Sequence, residues 1–386
     1  MPCREGKPLG IARNAPDSPP RFHQEHGSAD PLLWLIPLLL SGIGVIMISS
    51  SSSPISMARF GSPQALGIKQ AVWLLLGLLV MLITYSVPIE AWRKKSGLFW
   101  VIAVVFCFLP LFPVTGVSAG GARRWVNLGI VTVQAADVLF FAFTLHASRK
   151  LFENRSKETP AGSFFKVVIL GAISVIPLLL QPDMGSTILV FVLAMGIYVP
   201  LFGWGFPLVC GGGLAALGFP FIFTHGYRLR RLKAFLDPWE EPLGSGFQAI
   251  QGLVAFSNGG IWGMGLGQGL QKLKYLPASH TDFILAAIGE ELGLAGSLSV
   301  IALFGLWYFR LFGHYRRLEG SFEACLVWGL CLNVFIQMAI NIGGVTKLIP
   351  LTGMPLPFLS YGGSSLVMMW ARVGLLLRLS RCRQLA

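Results

Sequence analysis

Ten apolar runs, separated mostly by short polar segments, dictate what this chain can become. They fall at roughly 31–50, 66–87, 97–113, 132–147, 164–181, 184–203, 205–224, 282–310, 322–343 and 356–378. A helix needs about twenty apolar residues to cross the hydrocarbon of a bilayer, where every backbone polar group must be satisfied within the fold. The expected architecture is an all-α integral membrane protein of about ten transmembrane helices. The fourth run is the weakest, interrupted by Gln134 and Asp137, and the tight Gln181-Pro-Asp183 turn joins the fifth to the sixth. Composition agrees: 12% of the 386 residues are charged, against about a quarter in a soluble domain. Residues 1–30 are polar and carry Pro16, Pro19 and Pro20, which predicts a disordered tail ahead of one polytopic domain over 31–380. The first run lacks a small-residue cleavage site and reads as an uncleaved span.

Charge placement sets the orientation. With the N-terminus cytoplasmic, the inside receives Arg4, Lys7, Arg13 and Arg21, then Arg93, Lys94 and Lys95. Arg149, Lys150, Arg155, Lys157, Arg316, Arg317, Arg378, Arg381 and Arg383 follow on the same side, while the short outer segments hold Arg59, Arg123, Arg124 and Lys347. This asymmetry predicts both termini inside, and a long extracytoplasmic loop at 225–281 between the seventh and eighth spans. The net charge of +13 is thus a membrane bias; cations scattered between spans do not form the single basic face that nucleic acid requires. The six cysteines and six histidines are equally scattered, with no metal-ligand spacing.

That orientation gathers four motif-rich segments on the outer side: Gly120–Gly129, Gln181–Ser186, the long loop, and 343–365. The loop closes on Asp282, at the mouth of the eighth span. An acid there either complements the positive end of a helix or does chemistry. On a helix, Gly289 and Gly293 would lie within about 20° of Asp282, a smooth stripe suited to close approach of a helix or ligand. Glu291 would point the other way, as a packing or pairing residue, and His280 or Thr281 could cap the helix. The loop cations Arg228, Arg231, Lys272 and Lys274 either rest on anionic headgroups or hold a diphosphate. One carboxylate beside such cations suits attack by a hydroxyl with a diphosphate leaving. Arg123, Asp183, Ser360, Gly362 and Gly363 join the cations as substrate-binding candidates. The glycines of 257–269 have no strand before them and make no nucleotide fingerprint; they predict turns and close backbone approach. Arg372, late in the last span, is expected to snorkel to the cytoplasmic interface.

Together these blocks resemble the SEDS family (shape, elongation, division and sporulation). The resemblance is carried by Gly121-Ala-Arg-Arg-Trp125, Gln181-Pro-Asp183, Tyr227-Arg-Leu-Arg-Arg231, Asp237-Pro-Trp239, His280-Thr-Asp-Phe283, Glu290-Glu-Leu-Gly293 and Pro355–Ser364, in order from the first span to the last. It implies a peptidoglycan glycosyltransferase of the cytoplasmic membrane that polymerises lipid II on the outer side and releases undecaprenyl diphosphate. It places the essential aspartate at Asp282, and implies a class B penicillin-binding transpeptidase and other divisome membrane proteins as partners. The details favour the division branch; an elongation role, a lipid II flippase and a non-catalytic scaffold are the alternatives. The sequence shows no dedicated all-protein metal cage, and a divalent cation such as Mg²⁺ shared between Asp282 and a diphosphate is compatible with it. One stretch departs: where the family has Gln-Pro-Ser-Glu and a Lys three residues on, this chain has Gln134-Ala-Ala-Asp137 and Phe140. Asp137 must then find another partner, be protonated or face water.

Overall fold

The structure, a computed structural model, describes residues 27–119, 122–129, 131–213, 232–273 and 276–382. Among them the long helices are α1 (Leu32–Ser51), α3 (Ala65–Ser86), α4 (Ile89–Phe106), α5 (Ala135–Asn154), α6 (Pro160–Leu180) and α7 (Met184–Phe202), with the short α2 (Ser53–Phe60) after α1. After the long loop's helix α8 (Phe247–Gly259) come α9 (Ile284–Arg317), α10 (Phe322–Val345) and α11 (Gly363–Ser380). The seventh run opens as helix at 205–213, and its remainder lies outside the described residues.

Among the described residues seven helices are long and apolar enough to cross a membrane: α1, α3, α4 with its following turn, α6, α7, α9 and α10. The protein is therefore a multi-pass membrane protein. The outer helices present apolar side chains to lipid; on α3 and α4, Leu75 is 67% and Leu98 61% exposed. Helices α5 and α11 fall short of that hydropathy because they sit at the centre. Buried residues on α5 include Asp137, Thr144, His146 and Ser148, and a helix buried on all sides by protein is not obliged to be oily. Helix α11 lies close against α3, where a Cβ at Gly374 would come within 2.1 Å of Thr84 Oγ1.

Two expectations need correction. The fold is not purely α-helical: β1 (Gly116–Ala119), β2 (Ala122–Asn127) and β3 (Thr132–Gln134) form an antiparallel sheet in that order. Trp125 pairs with Val117 on one side and Gln134 on the other. The turn between β2 and β3 is made by Asn127, whose Oδ1 accepts from Gly129 N at 2.9 Å, with Gly129 at φ +90°. The fourth run thus begins as a strand and turns helical only at Ala135. Likewise the last helix starts at Gly363 rather than near 356, because Pro355 and Pro357 force an extended approach.

The two ends of the membrane domain meet at one face. Asp30 N donates to Ser380 Oγ at 3.2 Å, and Arg381 Nε donates to the Gly27 carbonyl at 3.2 Å.

Candidate active site

Asp282 lies in the turn before α9, half-buried. The helix has Phe283 as its N-cap with no side-chain cap, so neither Thr281 nor His280 caps it. Thr281 Oγ1 instead donates to the Ala278 carbonyl at 3.2 Å. The turn is stitched to the extended segment before α11. Asn341 Nδ2 donates to the Asp282 carbonyl at 2.8 Å and to the Met354 carbonyl at 2.7 Å. Ser360 Oγ donates to the Thr281 carbonyl at 2.7 Å and accepts from Leu356 N at 2.8 Å, and Tyr361 N donates to the His280 carbonyl at 2.9 Å. The buried Gln70 amide closes the stitch from α3, donating to the Ser360 carbonyl at 3.1 Å and accepting from Gly362 N at 3.3 Å.

Glycine leaves the carboxylate room. A Cβ at Gly353, which sits at φ +78°, would lie 3.4 Å from Asp282 Oδ2. Gly363 has a different neighbour, the Trp73 ring, within 2.1 Å of where a Cβ would stand. Of the candidates chosen from sequence, Ser360 and Gly362 therefore join Asp282 through backbone and hydroxyl contacts, and Gly363 seats the next helix on α3.

Asp183 caps α7, accepting from Ser186 N at 3.3 Å and Ser186 Oγ at 2.7 Å. Arg124 Nε stands 3.8 Å from its Oδ2, and Arg124 Nη2 donates to the Pro182 carbonyl at 3.1 Å. The next residue but one, Gly185, would carry a Cβ 3.3 Å from Met354 Cγ. Gly185 thus lies beside Met354, which Asn341 ties to the Asp282 turn. Arg123, the neighbour of Arg124 on β2, is exposed.

The glycine stripe of α9 receives another part of the chain. A Cβ at Gly259, the end of α8, would stand 1.8 Å from the Gly289 carbonyl oxygen. Helix α9 breaks at Gly293, at φ 71° and ψ −169°, where Leu294 N and Ala295 N donate to the Gly260 and Ile261 carbonyls at 2.9 and 3.1 Å. Two buried carboxylates hold the loop there. Glu290 Oε1 accepts from Leu270 N at 3.1 Å and Gln271 N at 3.2 Å. Glu291 accepts from Ser50 Oγ at 2.6 Å, Gly267 N at 2.9 Å and Lys272 Nζ at 3.1 Å. The Lys272 ammonium also donates to Ser50 Oγ and to the Gly267 carbonyl, so its three donors are engaged within the protein. Arg228, Arg231 and Lys274 lie outside the described residues.

His280 packs against Tyr361, with ring centroids 5.8 Å apart and the planes tilted by 60°. Burial pushes its imidazole below the usual histidine range, and nearby Arg59 pushes it further down. The ring is neutral at pH 7.

Asp137 has Arg372 close by, and the contact between them is to the Asp137 backbone. Arg372 is fully buried rather than snorkelling, and its Nη2 donates to the Asp137 carbonyl at 3.3 Å. Its charge and the Ser365 hydroxyl bear on the Asp137 carboxylate. A separation of 235 residues left no signal of this pairing in sequence spacing.

The family profile described as "Cell cycle protein", FtsW/RodA/SpoVE, matches residues 30–385. "Probable peptidoglycan glycosyltransferase FtsW" of Coxiella burnetii is 36% identical over 361 residues, covering 92% of this chain and 96% of that protein. The protein of the same name from Haemophilus influenzae is 38% identical, covering 90% and 89%. Among solved structures, a chain of a peptidoglycan synthase complex that coordinates polymerization and crosslinking superposes with a TM-score of 0.77 at 26% identity, covering 92% of this chain and 98% of that one. The rod shape determining protein RodA of Thermus thermophilus shares the fold, with a TM-score of 0.67 at 23% identity over 92% of this chain and 97% of its own. The chain belongs to the FtsW/RodA/SpoVE family.

Proposed function

We propose that this protein is a peptidoglycan glycosyltransferase that polymerises lipid II into glycan strands on the outer side of the cytoplasmic membrane, for the septal wall of dividing cells. The names of its relatives support the activity and the division branch. The observation that carries the assignment of the site is the clamp on Asp282: backbone fixed by Asn341 and the Ser360 segment, carboxylate facing the open side of Gly353.

In this reading an acceptor hydroxyl gives its proton to Asp282 and attacks the anomeric carbon of the growing strand. The bond to undecaprenyl diphosphate breaks as the glycosidic bond forms. Arg228, Arg231, Lys274 and Arg123 hold the departing diphosphate by forked or point-charge contacts, and Lys272 contributes a fixed positive charge from its seat on Glu291. Asp183, Ser360, Gly362 and Gly363 shape the substrate cleft. Among the described residues no three His, Cys, Asp or Glu side chains are grouped to hold a metal ion; a divalent cation at Asp282 would draw its other oxygen ligands from the diphosphate.

Ten spans with both termini cytoplasmic fit this placement. The meeting of Gly27 and Asp30 with Ser380 and Arg381 supports an even number of crossings, and the placement of positive charge supports the direction. Membership in a complex with a transpeptidase is supported by the superposed peptidoglycan synthase complex.

The test is polymerisation of labelled lipid II by the purified protein with its transpeptidase. Asp282→Asn keeps size but cannot take the proton, and its product should vanish while the protein still folds and inserts. Wild-type product from Asp282→Asn would overturn the assignment. Transfer between leaflets without product would make the protein a flippase.

A further inference from the structure

At the face where the chain ends meet, a cavity of about 600 Å³ opens between α1, α9 and α11, lined by Ser28, Asp30, Arg310, His314, Arg317 and Ser380 among others. Among the described residues Asp30 is its one lining carboxylate. Asp30 Oδ2 accepts from Arg310 Nε at 3.1 Å, Arg310 Nη2 at 2.8 Å and His314 Nε2 at 3.0 Å. Burial pushes the Asp30 carboxyl up, but the bonds from His314, Leu32 N and Arg310 together with the Arg310 charge outweigh it and hold the group below the usual carboxylate range. Asp30 therefore offsets one arginine, and a second remains. The Arg310 side chain is still 42% exposed, and Arg317 is exposed at the rim.

Depth decides what such a cavity meets. Helix α1 has 20 residues, which at 1.5 Å each rise about 30 Å, the thickness of the hydrocarbon core. Asp30, two residues before its start, then stands at headgroup level. Helix α9 breaks at Gly293; its second part, from Leu294 to Arg317, rises about 36 Å, and Arg310 and His314 share the level of Asp30 because both bond to its carboxylate. Basic pockets between helices at this level are places where phosphate headgroups bind.

We infer that this cavity binds the phosphate of an anionic phospholipid between Arg310 and Arg317, in the leaflet at the level of Asp30 and Ser380. The site is remote from Asp282 and stands whether or not the glycosyltransferase reading does. Asp30 fixes the Arg310 fork, and the phosphate completes the charge balance that Asp30 leaves short. Bound lipid thereby ties α9, whose other end carries the Asp282 turn, to the start of α1 and the end of α11.

The experiment is a titration of the detergent-solubilised full chain with soluble short-chain phosphatidylglycerol, read by thermal unfolding. Phosphatidylcholine of the same chain length and inorganic phosphate are run in parallel. Phosphatidylglycerol should raise the unfolding temperature saturably. Arg317→Gln, which breaks no bond seen in the structure, should weaken the apparent affinity about fivefold, the scale of one interfacial cation. Arg310→Gln with Arg317→Gln should weaken it further, and Arg316→Gln, outside the cavity, should leave it unchanged. The inference fails if Arg317→Gln and Arg316→Gln behave alike, or if phosphatidylcholine or inorganic phosphate gives the same rise.

Discussion

Asn341 holds Asp282 to Met354: one side-chain nitrogen donates to both carbonyls, at 2.8 and 2.7 Å. The catalytic candidate is thereby fixed to the glycine segment it faces by a residue of a third element, α10. Asn341→Leu removes both bonds at similar volume. Each is worth about 0.5–1.5 kcal/mol, so stability should fall by about 1–3 kcal/mol. Lipid II polymerisation should fall tenfold or more, because small misplacements of a reacting group are costly. Parallel measurement of product and unfolding temperature checks both; full activity at lowered stability would remove Asn341 from the positioning of Asp282.

The buried Asp137 and Arg372 form the second test. Arg372→Met alone should destabilise the protein by about 3–5 kcal/mol, since it leaves an acid uncompensated in a dry interior. Asp137→Leu with Arg372→Met should recover most of that loss. A thermal-unfolding cycle over the four proteins measures the coupling, and additive losses would mean the two charges do not act as a pair.

His280 predicts acid sensitivity near the site. Its imidazole titrates below the free value of about 6.5, because burial and Arg59 disfavour the cation. Protonation therefore favours the unfolded chain. Stability should be level above about pH 7 and decline as pH drops through 6.5 towards the folded value. His280→Gln should flatten this step in unfolding curves taken from pH 8 to 5; an unchanged slope would assign it to another group.

Orientation is open to labelling. A cysteine near Ser257 should react with an impermeant reagent added outside intact cells, and one near Arg155 only after permeabilisation. Labelling of both from one side would refute the ten-span, termini-inside arrangement.

Much of the molecule was legible because lipid leaves few options. Apolar run length located α1, α3, α6, α7 and α10 to within a few residues. The signal failed where protein replaces lipid as the neighbour. Helix α5 reads as interrupted because its polar residues face other helices, and Arg372 reads as interfacial because nothing local reveals Asp137 across 235 residues. The three strands escaped for a related reason, being short and set among long apolar runs. At the site, Asp282 and the Ser360 segment were visible as motifs. Gln70 and Asn341, single amides inside apolar helices, were not, since each matters only through the elements it joins.

The central position of α5 has a consequence for how the protein is made. The ribosome delivers Asp137 to the membrane long before Arg372, which arrives with the last helix. A carboxylate facing hydrocarbon disfavours insertion, by about 3 kcal/mol at a helix centre and less in a first turn such as that of Asp137, so α5 gains by sheltering among its neighbours until α11 arrives. A chain stopped short of α11 would leave Asp137 without the neighbouring Arg372 charge.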